Sequence, residues 1–389
     1  MPFNAVTKNL RKAYTYLASH IYDIPPRMLA FLIFINLALI PFLIPLGPLT
    51  GELKPLIEAN LLAILAVSWD LLVGRTGQIS LGHALFFGVG AYGTAILHNY
   101  LGWPIWATIP ISMVAGAGIA LLIGFPCLRL KGPYLALLTM ALPIAVIGFI
   151  IYFFPTQAGQ TGYLVVPRIF TPSLFPKDVK MRLYGPYIAD YYLSLALMAL
   201  SSVIIYKIAT SKTGIVFVSI LDDELGAKAC GINVTKYKLL SLTISGLFGS
   251  LAGAFYAHMF ASAANTRLFL DIEATLPMKF SFIPIVATIL GGIGTIYGPI
   301  FGVYVYILLE DFIFPKLFEY LKTFGIVIEP AMQVPLILVI FISIVVLLIV
   351  RWPRGIARAI VEKLEDLEEP REVQEILKEK TKGKEQVRG

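Results

Sequence analysis

Long apolar runs separated by short polar segments fill most of the chain up to residue 350. Seven of these runs have about the 20-residue length that a helix needs to cross a bilayer. They are residues 28–46, 55–73, 105–125, 134–154, 187–207, 239–260 and 333–350. The pattern therefore predicts an all-α polytopic membrane protein.

Two further apolar runs are interrupted by glycine. Residues 84–97 contain three closely spaced glycines, and residues 281–309 contain a Gly-Gly-Ile-Gly segment. The second run is too long for one comfortable crossing, so we divide it into helices at about 275–292 and 297–314 with a glycine-rich turn between them. The chain is therefore expected to cross the membrane about ten times, with some short and glycine-interrupted segments.

The composition excludes a water-soluble fold. Hydrophobic residues make up 58% of the chain and charged residues 14%, against about 25% charged residues in a typical soluble domain. The two cysteines, Cys127 and Cys230, are too few for a disulfide scaffold, and neither they nor the four histidines have the spacing of a metal site. We expect no metal and no cofactor. The net charge of +7 indicates membrane topology rather than binding of nucleic acid.

Lys and Arg concentrate in segments that are cytoplasmic if the chain starts inside, as the positive-inside rule requires. These basic residues are Arg75, Arg129, Lys131, Lys207, Lys212, Lys228, Lys236, Lys238, Arg351, Arg354 and Arg358. The predicted domains are a basic cytoplasmic N-terminus at 1–27, a transmembrane region at 28–353 with an outer loop at 155–186 and a cytoplasmic loop at 208–236, and a charged cytoplasmic tail at 354–389. No signal peptide is predicted, because no apolar segment near the start ends in a small-residue cleavage site.

The cytoplasmic loop 208–236 is expected to contain a short helix. Ser219 is followed three residues later by Asp222, three consecutive acids suit a helix N-terminus, and Gly231 supplies a stop. Apolar residues at every fourth position would place one face of this helix against the membrane domain or a partner. A solvated helix without a partner is the alternative interpretation.

Several catalytic and nucleotide-binding motifs are missing. Gly88, Gly90 and Gly93 match the dinucleotide-binding pattern GxGxxG, but the match lies inside an apolar run with no preceding strand. Small residues at such spacing let membrane helices pack closely, and we expect that role here. The chain has no GxxxxGKS or GxxxxGKT segment, so any ATP that drives it would bind to another chain. We therefore expect a protein that is not an enzyme.

A few polar residues lie within or beside the predicted spans. Glu58 and Asp70 lie near the ends of the second span, where a charged side chain can reach water at low cost, and structural and functional roles are both open. The polar run 74–83 separates two apolar segments, which is compatible with a structural turn and with a broken helix that lines a pore. Our candidates for the translocation path are Gln78, Ser80, His83, Gly88 and Gly90.

Three segments of the chain resemble one family of membrane proteins. They read NLLAILAVSWDLLVGRTGQISLGHALFFGVGAYGTAIL, SKTGIVFVSILDDELGAKACGINVTKYKLLSLTISGLFGSLAGAFYAH and ATILGGIGTIYGPIFGVYV. These segments are similar to the permease subunits of branched-chain amino acid ABC importers, with the better fit to the LivM-like permease. The resemblance covers most of residues 55–310, but not the charged tail or the outer loop.

The resemblance implies a subunit of the prokaryotic inner membrane that pairs with a second permease and two ATP-binding subunits, and that receives substrate from an extracytoplasmic binding protein. It also implies that the predicted helix docks on an ATP-binding subunit. The implied contact residues are Asp222, Asp223, Glu224, Ala227, Lys228 and Gly231. The implied substrates are branched-chain or other hydrophobic amino acids, with urea, short amides or another small polar metabolite as alternatives. A channel or facilitator that needs no ATP is the alternative from a different class.

Overall fold

The structure is a computed structural model. It describes residues 50–127, 133–153, 164–170, 179–259, 262–264, 267–270 and 279–324, together with eight residues between 332 and 351. The segment 1–27, the span 28–46 and the tail 354–389 lie outside the described residues, and the span 333–350 lies largely outside them.

Most of the described residues are helical. The helices are α1 (Thr50–Thr76), α2 (His83–Leu101), α3 (Ile105–Cys127), α4 (Pro133–Phe153), α5 (Val179–Thr210), α6 (Lys212–Asp222), α7 (Glu224–Ala229), α8 (Val234–Met259), α9 (Lys279–Gly291), α10 (Tyr297–Ile307) and α11 (Phe314–Thr323). A π-helical segment, Leu308–Ile313, joins α10 to α11. The predicted helical fold is confirmed by these elements.

Three short strands form a small sheet that the sequence did not predict. They are β1 (Leu164–Pro167), β2 (Ser262–Ala264) and β3 (Arg267–Leu270), paired antiparallel in the order β1-β3-β2. In the register, Leu164 lies opposite Leu270 and Ser262 lies opposite Phe269. Strands of three or four residues are too short to show an alternating pattern, so hydrophobic periodicity could not reveal them.

Four of the described helices are long and apolar enough to cross a membrane. They are Leu53–Thr76, Ile105–Cys127, Tyr187–Thr210 and Val234–Met259, and they coincide with the predicted spans 55–73, 105–125, 187–207 and 239–260. Helix α4 coincides with the span predicted at 134–154. The total of ten crossings stays a prediction, because it includes spans outside the described residues.

Helix α1 is the centre of the bundle. Of its most apolar stretch, 89% of the residues are buried, against 39% for α3 and 33% for the apolar part of α5. A helix that is apolar on all sides is stable only where other elements surround it. Helices α5, α8, α9 and α10 pack around α1, and α2 and α3 pack on the other side of α8.

The division of the run 281–309 into two helices is confirmed. Helices α9 and α10 are joined by a tight turn at residues 292–296, in which Gly292 and Gly294 adopt positive φ angles of 123° and 79°. Helix α9 is described over Lys279–Gly291. Helix α10 continues without a break in helical φ and ψ through the π segment into α11.

Helix α2 starts inside the bundle rather than at its end. After α1 ends, residues 77–82 run back along it without regular structure, and the indole of Trp69 donates a hydrogen bond to the carbonyl of Ser80 (2.8 Å). The hydroxyl of Ser245 joins His83 at the start of α2 to the carbonyl of Ser68. Ser68 lies eight residues before Thr76, so α2 starts about 12 Å from the end of α1.

Close contacts at glycine confirm that the GxGxxG match serves helix packing. A Cβ atom added to Gly90 of α2 would lie 1.9 Å from the carbonyl oxygen of Ser250 in α8. A Cβ atom on Gly253 of α8 would lie 1.8 Å from the carbonyl oxygen of Phe87 in α2. Only glycine allows the two backbones to approach this closely.

Replacing Gly90 with alanine should therefore destabilise the bundle. We expect Gly90→Ala to lower the free energy of unfolding by about 1–3 kcal/mol, because the added methyl group forces α2 away from α8. The matched control is Gly118→Ala in α3, where an added Cβ meets no atom within 4 Å and the better helix propensity of alanine applies. Thermal unfolding in detergent measures both variants, and an equal midpoint for the two would contradict the packing role of Gly90.

Candidate functional site

The segment between α5 and α8 consists of two short helices, α6 and α7, which meet at Asp223. The Oδ1 atom of Asp223 accepts a hydrogen bond from the backbone N–H of Leu225 (2.9 Å) and caps α7. The prediction of a single helix that starts at Ser219 is wrong, because Ser219 lies inside α6 and its hydroxyl donates to the carbonyl of Ile215. The apolar residues before Ser219 extend α6 upstream, and Asp223 takes the N-cap position of α7. Gly231, with φ of 81°, ends the segment as predicted.

Ion pairs hold α7 against the start of α8. Glu224 accepts hydrogen bonds from Lys228 in α7 (2.8 Å) and from Lys238 in α8 (2.6 Å). These two hydrogen bonds lower the pKa of Glu224 from 4.5 to about 2. Beneath them, Ala227 is buried in a small apolar cluster with Ile220 and other residues of α6 and α8. The α6–α7 segment therefore has a defined orientation on the bundle.

The predicted coupling residues divide into surface and interior positions. Asp222, Asp223, Lys228 and Gly231 are exposed, and Glu224 is half-buried. Ala227 is only 6% exposed, so its side chain positions the segment and does not suit direct contact with a partner. The apolar part of this surface consists of Leu221 and Leu225, 43% and 76% exposed, which belong to the apolar residues that recur at every fourth position in the sequence.

The α6–α7 segment meets two turns at the end of α1. A Cβ atom on Gly77 would lie 3.0 Å from a methyl group of Leu221, and a Cβ on Gly74 would lie 2.6 Å from the backbone nitrogen of Gly294. The Oδ1 atom of Asp70 accepts a hydrogen bond from that same nitrogen (2.7 Å). We call this meeting point, formed by Asp70, Gly74, Gly77, Leu221 and Gly294, the junction.

The structure also corrects the expected surroundings of the two acids in α1. Glu58 and Asp70 are 7% and 3% exposed, so neither side chain reaches water as its position near a span end suggested. Asp70 is used in the junction. Glu58 faces charged residues of α9 and the π segment.

The polar run after α1 is packed against α8. The amide of Gln78 donates to the hydroxyls of Thr76 (2.9 Å) and Ser241 (3.1 Å) and to the carbonyl of Lys238 (3.1 Å). The ring of His83 bonds the hydroxyl of Ser245 at 2.7 Å. The amide nitrogen of Gln78 and the Nε2 atom of His83 are thus satisfied within the protein, whereas the Nδ1 atom of His83 is buried without a partner among the described residues.

The five candidate path residues do not line an open channel in this structure. Gln78 and Ser80 border a cavity of about 20 Å³, which has space for about one water molecule. Gly90 is in backbone contact with α8, and His83 and Gly88 are buried in α2. The role of these residues in translocation stays a prediction.

A second polar network, not found from the sequence, ties the small sheet to the helices. The hydroxyl of Thr94 bonds both Thr108 (2.6 Å) and the ring of His258 (2.9 Å), whose other nitrogen bonds the carbonyl of Pro167 in β1 (2.7 Å). Nearby, Arg168 and Asp190 form a buried ion pair at 3.0 Å. In the sequence, the presence of an acid, Asp190, inside the span predicted at 187–207 could have indicated this ion pair.

A family model described as "Branched-chain amino acid transport system / permease component" matches residues 53–351. The chain belongs to this family. Because the family is one of membrane permeases and the bundle contains several spanning helices, the protein is a multi-pass membrane protein of the permease class and not an enzyme.

Curated relatives of this permease family match about half of the chain. The high-affinity branched-chain amino acid transport system permease protein LivM of Salmonella typhimurium is 28% identical over 212 residues, which are 50% of this chain and 49% of the relative. LivM of Escherichia coli matches with the same identity and coverage. The guanosine ABC transporter permease protein NupQ of Bacillus subtilis is 23% identical, over 48% of this chain and 60% of the relative. No solved structure matches the chain significantly.

Removing the acceptor at Asp70 should loosen the turn 292–296 from α1. We expect Asp70→Ala to cost about 1–3 kcal/mol, because the N–H of Gly294 loses its acceptor, and to speed hydrogen exchange at that N–H. Asp70→Asn keeps an acceptor oxygen and should show a smaller effect. Hydrogen exchange followed by mass spectrometry measures both variants, with the exposed Asp222→Ala as control. Unchanged exchange in Asp70→Ala would show that the hydrogen bond does not hold the turn.

Replacing Glu224 with glutamine should release α7 from α8. Because the pKa of Glu224 lies below its ordinary value, the ionised form stabilises the fold; this stabilisation is fully present above pH 4.5 and is lost as the pH falls towards 2. At neutral pH we therefore expect Glu224→Gln to increase hydrogen exchange in residues 224–230, whereas Asp222→Asn should not. Equal exchange in these two variants would contradict the anchoring role.

Proposed function

We propose that the chain is the membrane-spanning permease subunit of an ABC importer for branched-chain or other hydrophobic amino acids, with ATP hydrolysed by separate subunits. The observation that carries the proposal is the α6–α7 segment, a pair of short helices that is anchored on the bundle and still exposes Leu221 and Leu225. Membership in the permease family and the relatives named as amino-acid permeases support the same function.

The exposed surface of α6–α7 suits contact with a protein partner. Leu225 is 76% exposed beside exposed acids, and an apolar side chain in a ring of charge is typical of a contact centre with a polar rim. The anchoring contacts lie on the opposite side, through Glu224 and the buried Ala227. In the proposal, this surface docks on an ATP-binding subunit.

The charge distribution supports a cytoplasmic position for the α6–α7 segment. Five lysines lie in or beside it: Lys207, Lys212, Lys228, Lys236 and Lys238. Basic residues concentrate on the cytoplasmic side of membrane proteins, which is also where ATP-binding subunits operate. On this basis both termini are cytoplasmic, and the small sheet at the other end of α8 lies outside.

The junction supplies a physical route for coupling. A displacement of α6 acts on Gly77 through Leu221, and Gly77 follows directly on the end of α1. Asp70 and Gly74 connect that end to Gly294, between α9 and α10. Closure of the ATP-binding subunits would thus be transmitted to the spans by close contacts within a packed interior, which deforms little.

The proposal includes partners and a location. The chain would pair with a second permease in a prokaryotic inner membrane and receive substrate from an extracytoplasmic binding protein. Urea, short amides or another small polar metabolite are the alternative substrates; the relative named for guanosine shows that the substrate varies among relatives. A facilitator that needs no ATP is the second candidate, and it would leave the exposed α6–α7 surface without a partner.

Changing the α6–α7 surface should uncouple transport. We expect reversal of the charges at Asp222, Asp223 and Glu224, and separately Leu225→Ser, to lower ATP-dependent uptake of labelled L-leucine by at least about tenfold, because truncation of a central contact costs about 2 kcal/mol or more. Leu225→Ser is the sharper variant, since Leu225 is highly exposed. Uptake is measured in membrane vesicles prepared with and without internal ATP.

The control is Glu319→Lys, a charge reversal at an exposed residue of α11, which should leave uptake unchanged. Purification of the tagged chain followed by mass spectrometry should recover an ATP-binding subunit with the wild type and less of it with Leu225→Ser. ATP-dependent uptake that survives both α6–α7 variants would rule out this docking surface. Uptake without any ATP would favour the facilitator.

A further inference from the structure

Helix α4 is less deeply packed than the helices around α1. Among the described helices it packs mainly on α2 and α3. Of the α4 residues whose burial the structure describes, only Thr139 and Pro143 are buried, whereas Tyr134, Leu137 and Ile144 are 71%, 63% and 55% exposed. An element with few buried contacts moves at a lower cost in free energy than the core of the same protein. Helix α4 is therefore the described span that can shift most easily.

Thr139 is the point at which residues 77–82 hold α4. The hydroxyl of Thr139 accepts a hydrogen bond from the backbone N–H of Leu81 (3.1 Å). A Cβ atom added to Gly82 would lie 2.3 Å from the carbonyl oxygen of Thr139, so the two backbones are in contact. In a bundle surrounded by lipid, a backbone N–H needs an acceptor within the protein. The pairing of Leu81 with Thr139 therefore fixes the position of α4 against this segment.

The segment 77–82 also connects to the helices on its other sides. Its middle is bonded to α1 through the carbonyl of Ser80 and to α8 through the amide of Gln78. Its first residue, Gly77, lies against Leu221 of α6 in the junction. The segment is thus a short, well-bonded connection with α6 at one end and α4 at the other.

The cavity described above lies between α4 and the rest of the bundle. Its volume is about 20 Å³, and its walls include Leu135 of α4, Cys127 of α3, Leu72 of α1 and Leu242 of α8. Leu72 lies four residues before the end of α1, so the cavity is near the end of the bundle that carries α6 and α7. Side chains beside an unfilled space lose packing contacts, and the helix next to that space has room to shift.

We propose that α4 is the movable helix at this end of the bundle, and that Thr139 is a positioning residue which links α4 to the α6–α7 segment. The inference rests on the proposed function and specifies which helix responds to the ATP-binding subunits. A displacement of α6 shifts Gly77 and the segment that follows it, and the contact at Thr139 passes the displacement to α4. Movement of α4 away from α8 widens the cavity beside Gln78 and Ser80, two of the predicted path residues.

The first test needs no partner and follows the thiol of Cys127, which is 2% exposed beside the cavity. The purified full chain in lipid nanodiscs reacts with N-ethylmaleimide, and mass spectrometry measures Cys127 separately from the exposed Cys230. We expect Thr139→Val to speed the reaction of Cys127 about fivefold, as for the loss of one hydrogen bond, because α4 leaves the cavity more often. Thr139→Ser keeps the hydroxyl and should react as the wild type does.

The matched control is Thr243→Val in α8, because the hydroxyl of Thr243 donates only within its own helix, to the carbonyl of Leu239 (2.8 Å). This variant should leave the reaction of both thiols unchanged. The proposal is overturned if Cys127 reacts equally in Thr139→Val and the wild type, or if Thr139→Ser behaves like Thr139→Val. Should Thr139→Val not fold, the cross-link in the second test decides.

The second test locks α4 during transport. Leu135→Cys adds a thiol to the cavity wall that Cys127 also lines, and a short bifunctional methanethiosulfonate reagent joins the two thiols. We expect the cross-link to abolish ATP-dependent uptake of labelled L-leucine in membrane vesicles, and a reducing agent to restore it. The treated wild type, which has only Cys127 and Cys230, should keep its uptake. A chain with a verified cross-link that still transports overturns the proposal.

The two tests separate this inference from the proposed function. Faster reaction of Cys127 in Thr139→Val, without ATP-dependent leucine uptake by the wild type, would support the movable α4 and contradict the importer. ATP-dependent leucine uptake by the wild type that persists in the cross-linked chain would support the importer and contradict the role of α4.

Discussion

A protein surrounded by lipid has to satisfy its polar groups from its own residues, and the bundle meets this requirement around α1. Asn60 donates to the hydroxyl of Ser194 in α5 at 3.0 Å and accepts from the phenol of Tyr304 in α10. The carbonyl of Ser68 accepts from Ser245 in α8. Helices α5, α8 and α10 are thereby fixed in register on α1 by a polar contact as well as by apolar packing, which gives the bundle a specified arrangement of helices.

The same requirement explains why the irregular backbone is buried in protein rather than exposed to lipid. Residues 77–82 lie against α8, and the turn 292–296 lies against Gly74. Both segments contain glycine at positive φ. They meet at the end of the bundle where α6 and α7 are anchored, so the least regular parts of the membrane domain lie next to the segment proposed to receive movement from an ATP-binding subunit.

The length of apolar runs was enough to predict α3, α8 and the division into α9 and α10, because burial in lipid needs only hydrophobicity and length. Cap chemistry was ambiguous, since Ser219 and Asp223 both suit a helix start and only packing decides between them. Asp70 and Gly294 are 224 residues apart in the chain and share a hydrogen bond, and no local pattern brings them together. Contacts between residues at such separations could therefore not be predicted from one sequence.

The turn 292–296 and helix α10 each attach the α9–α10 pair to α1 by a hydrogen bond. The N–H of Gly294 donates to Asp70, and the phenol of Tyr304 donates to Asn60. Asn60 and Asp70 are ten residues apart in α1, or about 15 Å. Two attachments along α1 prevent the α9–α10 pair from sliding along α1 but permit it to rotate about the line through the two contacts. The helical pair therefore has one easy degree of freedom relative to α1, a hinge-like rotation.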